Sequence, residues 1–161
     1  MNVLASRISG SVPFVVRDEV SPERVDAFFE MNDEGCRAIS PLRYEARLIG
    51  TKRGIRLEAS INAELERLCS RCGKADTLAM TWQVVLMLVD EAQAPKRDEV
   101  VLETDDLDVI FYKDVIDLEH IVLETVYVEL DSHYLCDDSC HGVCLKCGAN
   151  LNETACRCHP V

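Results

Sequence analysis

Polar and apolar residues alternate with a period of two through much of the chain. Tyr44, Ala46 and Leu48 interleave with Arg43, Glu45 and Arg47. Ile55, Leu57, Ala59 and Ile61 interleave with Arg56, Glu58, Ser60 and Asn62. Period two sends alternate side chains to opposite faces of a pleated strand, so both stretches predict half-buried strands. Thr51-Lys52-Arg53-Gly54 between them predicts a hairpin turn, which pairs the two strands antiparallel. Val12–Arg17 predicts a short strand, which Pro13 confines to an edge or a strand start. Trp82, Val84, Leu86 and Leu88 alternate with Gln83, Val85 and Met87, and this mostly apolar run predicts a strand buried on both faces. Val109–Tyr112 is also strand-like.

Two segments carry helical spacing instead. Ser21–Met31 has a capping serine, Pro22 in the first turn, Glu23 at the positive end of the dipole, and Val25, Phe28 and Phe29 on one face. Gly35 lies just past its end. Asp117–Leu130 opens on a capping aspartate and places Leu118, Ile121, Val122, Thr125, Val126 and Glu129 on a stripe. Residues 90–108 are charged and without period, which predicts a loop carrying one short strand, Val100–Leu102. Asp105, Asp106 and Asp108 lack the glycine and distal glutamate of a calcium-binding EF-hand loop. The fold class this predicts is α+β, an antiparallel sheet core with about two helices. Residues 1–135 form the α+β domain, and residues 136–161 form a cysteine-rich tail packed on it.

A chain of 161 residues that is 48% hydrophobic is large enough to bury a core without covalent staples. Its first residues lack the apolar stretch of a signal peptide, and Val84–Val89 is too short to span a membrane. The expected location is the cytoplasm, where thiols stay reduced and clustered cysteines favour metal over disulfides. The formal net charge is −12, unevenly spread. Residues 98–138 hold fourteen carboxylates against Lys113 alone, whereas residues 42–75 hold eight Lys/Arg against four Glu. The total argues against wrapping nucleic acid over the whole surface, and leaves room for a local basic face or an acidic face that docks a basic protein.

The chemistry concentrates in the cysteines. Cys144-x-x-Cys147-Gly148 repeats the form of Cys69-x-x-Cys72-Gly73. Two thiolates two residues apart can bite one ion, and the glycine permits the tight turn after them. Cys136, Cys140, Cys156 and Cys158 bring the set to eight, enough for two four-thiolate sites, with one zinc ion expected and two possible on the count. Two pairings are open. The matched knuckles Cys69/Cys72 and Cys144/Cys147 face each other, leaving Cys136/Cys140 with Cys156/Cys158. Alternatively Cys144/Cys147 closes locally with Cys156/Cys158, which costs less loop entropy, and Cys69/Cys72 joins Cys136/Cys140. His141 and His159 are alternative ligands. Cys36 stands alone and reads as a small packed or exposed residue without a role, and His120 reads as a surface residue. No phosphate loop, dinucleotide fingerprint, nucleophile elbow or His-x-x-x-His pair occurs, so no enzyme and no small-molecule substrate are expected.

Leu68-Cys-Ser-Arg-Cys72 after a strand, Asp117-Leu-Glu opening a helix, and Cys136-x3-Cys140-x-Gly142-x-Cys144-x2-Cys147-Gly-Ala-Asn-Leu-Asn152-x3-Cys156-x-Cys158 together resemble the YceD family, the large ribosomal RNA subunit accumulation proteins. The likeness runs from about residue 40 to 158. It implies a small, non-catalytic bacterial factor linked to large-subunit rRNA, whose metal serves structure, since some relatives lack the tail cysteines. This chain departs from the family in having no proline in Glu129–His133 and in stopping soon after Cys158. On this reading Arg43, Arg47, Lys52, Arg53, Arg56, Arg71 and Lys74 contact large-subunit rRNA, and the acidic segment 98–138 holds a basic large-subunit ribosomal protein. The alternatives are a zinc-stabilised protein–protein adaptor without RNA contact, and a redox or metal-transfer protein.

Overall fold

The computed structural model describes residues 1–31, 36–94 and 108–158. Its frame is a long antiparallel hairpin of β5 (Gly54–Leu68) and β6 (Ala75–Asp90), in register from Ile55↔Leu88 to Leu68↔Ala75. At about 3.3 Å per residue each arm runs for roughly 50 Å. β4 (Leu42–Thr51) pairs along the other side of β5, and the predicted turn closes at Thr51↔Gly54. β2 (Phe14–Val20) pairs with β4 and forms one edge, with Pro13 just outside the strand, where its missing N–H costs no ladder bond. β3 (Cys36–Ala38) continues the row beside β5, and Cys36 is buried there opposite Arg67. β7 (Val109–Tyr112) closes the far edge parallel to β6, so the otherwise antiparallel sheet is mixed at its last strand.

One sheet face meets both helices. α1 (Pro22–Met31) buries Val25 and Phe29, and α2 (Leu118–Glu129) buries Leu118, Ile121, Val122, Leu123 and Val126. These join Leu42, Tyr44, Ala46 and Leu48 of β4 and Ile55 to Leu65 of β5 in one core cluster. Asp117 caps α2, its carboxylate accepting the His120 amide at 3.2 Å. Thr125 turns its hydroxyl back onto the Ile121 carbonyl, whereas Glu129 is exposed, so the buried stripe of α2 runs through Leu123 rather than Glu129. His120 is on the surface, 3.2 Å from Glu124.

The opposite sheet face has no covering layer among the described residues, which corrects one expectation. β6 is not buried on both faces: Trp82 and Leu88 face the core, while Val85 on the other face is 50% exposed. A second small sheet, which no periodicity predicts, pairs β1 (Asn2–Leu4) with β8 (Val115–Asp117) beside the start of α2. Gly35, the expected strand Val100–Leu102, the acidic residues Asp98 to Asp106, and His159 lie outside the described residues.

Phe29 is fully buried where α1 meets the core. Phe29→Ala is expected to cost about 3–5 kcal/mol. It should lower the urea midpoint without changing the slope, and a loss below about 1 kcal/mol would contradict this packing.

Candidate metal centres

The β5–β6 hairpin ends in a knuckle rather than a simple turn. The Cys69 amide donates to the Lys74 carbonyl at 2.8 Å, and the Gly73 amide donates to the Cys69 carbonyl at 2.8 Å. Residues 144–149 repeat the pattern: Cys144 N–H to Ala149 O and Gly148 N–H to Cys144 O, both 2.8 Å. Gly73 and Gly148 both take φ +71°, a left-handed conformation costly for any residue with a Cβ. The shared sequence form therefore makes one local fold twice, and in each loop two further amides, of Arg71 and Cys72 or of Lys146 and Cys147, reach the first sulfur.

The second of the two open pairings is the one found. Cys69, Cys72, Cys136 and Cys140 form one group, and Cys144, Cys147, Cys156 and Cys158 form another, with all sulfurs of a group within 4.8 Å of each other. In the inner group Cys69 lies 3.8 Å from Cys140, and Cys72 lies 3.6 Å from Cys136. In the outer group Cys156 lies 3.2 Å from Cys144 and 3.5 Å from Cys147. A tetrahedral ion with metal–sulfur bonds of about 2.3 Å needs sulfur–sulfur edges of about 3.8 Å, so both groups fit a four-thiolate ion. The inner group is the more enclosed, with Cys69 and Cys140 buried, whereas Cys147 of the outer group is exposed. His141 is exposed and stands in neither group.

The sulfurs divide electrostatically. Amide hydrogen bonds, chiefly from Cys136 and then from Cys72 and Arg71, draw the Cys69 thiol down to about 6 against the effect of its burial. Burial pushes Cys136 up to about 12, reinforced by the thiols of Cys72 and Cys69. In the outer group a hydrogen bond from Cys156, with the Cys147 and Lys146 amides, draws Cys144 down to about 6. Hydrogen bonding to Cys156 and Cys147 pushes Cys158 up to about 12. Four close sulfurs thus hold some protons unless a cation replaces them.

Further contacts seat the inner group on the sheet. Arg67 falls at an inward position of β5 and is buried. It donates to the Asp131 carbonyl and lies over the Tyr134 ring, 5.5 Å from its centroid. The Tyr134 hydroxyl donates to Asp76 at 3.0 Å, and the Tyr134 carbonyl accepts the Ser70 amide at 2.8 Å. The linker into the tail is thereby tied to both arms of the hairpin. Arg67 is the one cation on an otherwise apolar alternation, a signal visible in the sequence. Asn150 and Asn152 lie in the stretch after Gly148, where residue type alone signals no target. Asn152 accepts the His141 amide and donates to Cys140, while Asn150 accepts from both the amide and the side chain of Asn152.

The seven candidate contact cations fall in three places. Arg43, Arg47 and Arg56 are on the open sheet face, where Arg43 meets Glu19 at 3.5 Å and Arg56 meets Glu58 at 3.0 Å. Arg17 on the same face meets Glu45 at 2.7 Å. Arg47 is flanked in register by Val15 and Glu58. Lys52 and Arg53 occupy the hairpin turn at one end of β5. Arg71 and Lys74 are at the other end, where Arg71 donates to the Asp138 and Cys140 carbonyls at 3.3 and 3.1 Å, and Lys74 pairs with Asp76 at 3.1 Å.

The arrangement defines a sheet protein closed at one end by two tetracysteine clusters. The profile of the family described as "Large ribosomal RNA subunit accumulation protein YceD" matches residues 57–161, a span that contains both clusters, and the chain belongs to that family. A relative from Arabidopsis thaliana, "Large ribosomal RNA subunit accumulation protein YCED homolog 1, chloroplastic", is 28% identical over 147 residues, covering 74% of this chain and 44% of the relative. A Zea mays protein of the same name is 39% identical over 46 residues, 28% of this chain and 16% of the relative. The chain thus spans less than half the length of these relatives. No solved structure matches. No helix among the described residues is long and apolar enough to cross a membrane.

Loading the metal-free chain with zinc should give two equivalents. Cys72→Ser and Cys147→Ser should each retain one, as measured by metal analysis after desalting. Protons and metal compete for the same sulfurs, so metal held at neutral pH should be released as the pH falls. A single equivalent in the parent chain would refute the second centre.

Proposed function

We propose that this chain is a non-catalytic factor in large ribosomal subunit biogenesis, supporting the accumulation or processing of large-subunit rRNA. The observation that carries this reading is membership of a family named for that role, through a match spanning both cysteine clusters. The ion in each cluster is zinc. Four thiolates saturate a tetrahedral zinc ion and leave no position for an activated water, so the metal holds shape. In the inner cluster Cys69, Cys72, Cys136 and Cys140 would hold it, and in the outer cluster Cys144, Cys147, Cys156 and Cys158. Residues 1–135 act as the α+β domain and residues 136–161 as a tail clasped to it. The site of action is the compartment where the subunit assembles, in a bacterium the cytoplasm.

The partner is large-subunit rRNA or a basic large-subunit ribosomal protein. The open sheet face forms a shallow groove of about 970 Å³, lined by Arg17, Arg43, Arg47, Glu19, Glu45 and Glu58 among others. Arg17 and Arg43 are paired with carboxylates there, which leaves Arg47, Lys52 and Arg53 as the cations best placed to reach phosphate. That pairing favours a second reading, an adaptor that meets protein rather than RNA.

Depleting the protein in its source organism should lower the ratio of large- to small-subunit rRNA, read from total RNA. A normal ratio and normal subunit profiles would sink the first reading. If rRNA is touched directly, Arg47→Glu with Lys52→Glu should reduce co-purifying rRNA several-fold, and binding should weaken steeply with salt. Co-purification of a ribosomal protein that survives RNase and is unchanged in this variant would favour the adaptor.

A further inference from the structure

The two centres have different reach. The outer one draws all four ligands from residues 144–158, whereas the inner one joins Cys72 to Cys136 across 64 residues. One side chain crosses between them. Asn152 lies in the segment between Cys147 and Cys156, inside the loop that the outer centre closes. Its side-chain Nδ2 is 3.3 Å from Sγ of Cys140, a buried ligand of the inner centre.

The amide is held in one orientation. Its Oδ1 accepts the His141 backbone N–H at 2.8 Å, and only the oxygen end can do so. The NH₂ end is therefore the end that faces Cys140, with its other hydrogen on Asn150 Oδ1 at 2.9 Å. Asn150 also receives the Asn152 backbone N–H at 3.0 Å, and the Leu151 amide donates to the Gly142 carbonyl at 2.9 Å. Every polar atom that aims Asn152 belongs to the tail, while the atom it addresses is a ligand of the centre that clasps the tail to the hairpin. A donor fixed on a metal-bound thiolate disperses its charge, and outer-shell donors of this kind are typically worth about 10- to 100-fold in metal affinity.

We infer that Asn152 is a positioning residue that couples the two centres, so that closing the outer centre prepares the inner one to bind its ion and dock the tail on the sheet. The inference rests on the metal reading proposed above. Loading is then ordered. The local outer centre closes a short loop at low entropic cost, and that loop presents the Asn152 donor to Cys140 before the long-range clasp forms.

The test uses the full chain stripped of metal and reloaded with ¹¹³Cd. Two thiolate-bound ¹¹³Cd resonances are expected, the inner one missing in Cys72→Ser and the outer one missing in Cys147→Ser. In Asn152→Ala the inner resonance should shift, and chelator competition should show the inner centre weakened about 10- to 100-fold with the outer unchanged. Asn152→Asp keeps an oxygen for the His141 amide and has no N–H for Cys140, so it should weaken the inner centre at least as much. Cys147→Ser alone should weaken the inner centre by a similar factor, and adding Asn152→Ala should then change it by less than about threefold, because the two act through one contact. With both resonances present, an unchanged inner affinity in either Asn152 variant overturns the coupling. Equal weakening of both centres, or a full-strength inner centre in Cys147→Ser, also overturns it. Loss of both resonances in the parent chain would overturn the metal reading itself.

Discussion

Four sulfurs from two distant parts of the chain cannot share a few ångströms as anions unless a cation lies among them. That constraint governs one end of this molecule. Cys69 and Cys72 are delivered by the tip of the β5–β6 hairpin, and Cys136 and Cys140 by the chain leaving α2. Around them the polar contacts serve one purpose. Arg67 and Tyr134 hold the incoming linker against the hairpin, Arg71 holds the Asp138 and Cys140 carbonyls, and Asn152 addresses the Cys140 sulfur from the tail. Each would lose its geometric reason if the sulfurs separated. The tail meets the hairpin at the inner cysteine group, and the outer group lies wholly within the tail.

The sheet makes a different compromise. One face carries the core and both helices, and the other faces solvent with charges of both signs in cross-strand pairs. Arg17 against Glu45 and Arg43 against Glu19 are solvent-exposed pairs, so they contribute more to surface neutrality than to stability. They also change what an arginine-bearing strand means. A run of cations in the chain becomes, once the strands are in register, a face of alternating charge. Arg71 is diverted further, since its guanidinium serves the clasp.

The elements that were plain in the sequence are those with several repeats of their own period. The strand around Tyr44, the turn at Thr51–Gly54 and the two helices emerge close to their expected bounds, whereas the strand around Leu57 runs six residues past Asn62, to Leu68. β1 and β8 have three residues each, too few for a period to declare itself, and they exist because they find one another. The apolar run of β6 suggested two buried faces. Apolar composition sets what a strand tolerates, and whether a second layer covers it depends on where the helices go. The parallel placement of β7 likewise depends on the path of the chain between β6 and β7 rather than on Val109–Tyr112 itself.

The cysteine chemistry divides along the same line. Spacing alone determined the knuckles: Cys-x-x-Cys-Gly closes through hydrogen bonds no more than five residues long, so both copies fold alike wherever they are placed. The eight-thiol set and the family likeness were equally local. The partner of each knuckle was decided by tertiary structure. Pairing Cys69/Cys72 with Cys136/Cys140 requires the full length of the hairpin and the course of α2 to bring two ends together, and no spacing rule encodes that distance. The same holds for Asn152 and Arg71, whose residue types were visible but whose targets lie across the fold. Short-range geometry is written in neighbouring residues, whereas a contact across 64 residues is the sum of every strand and helix between them.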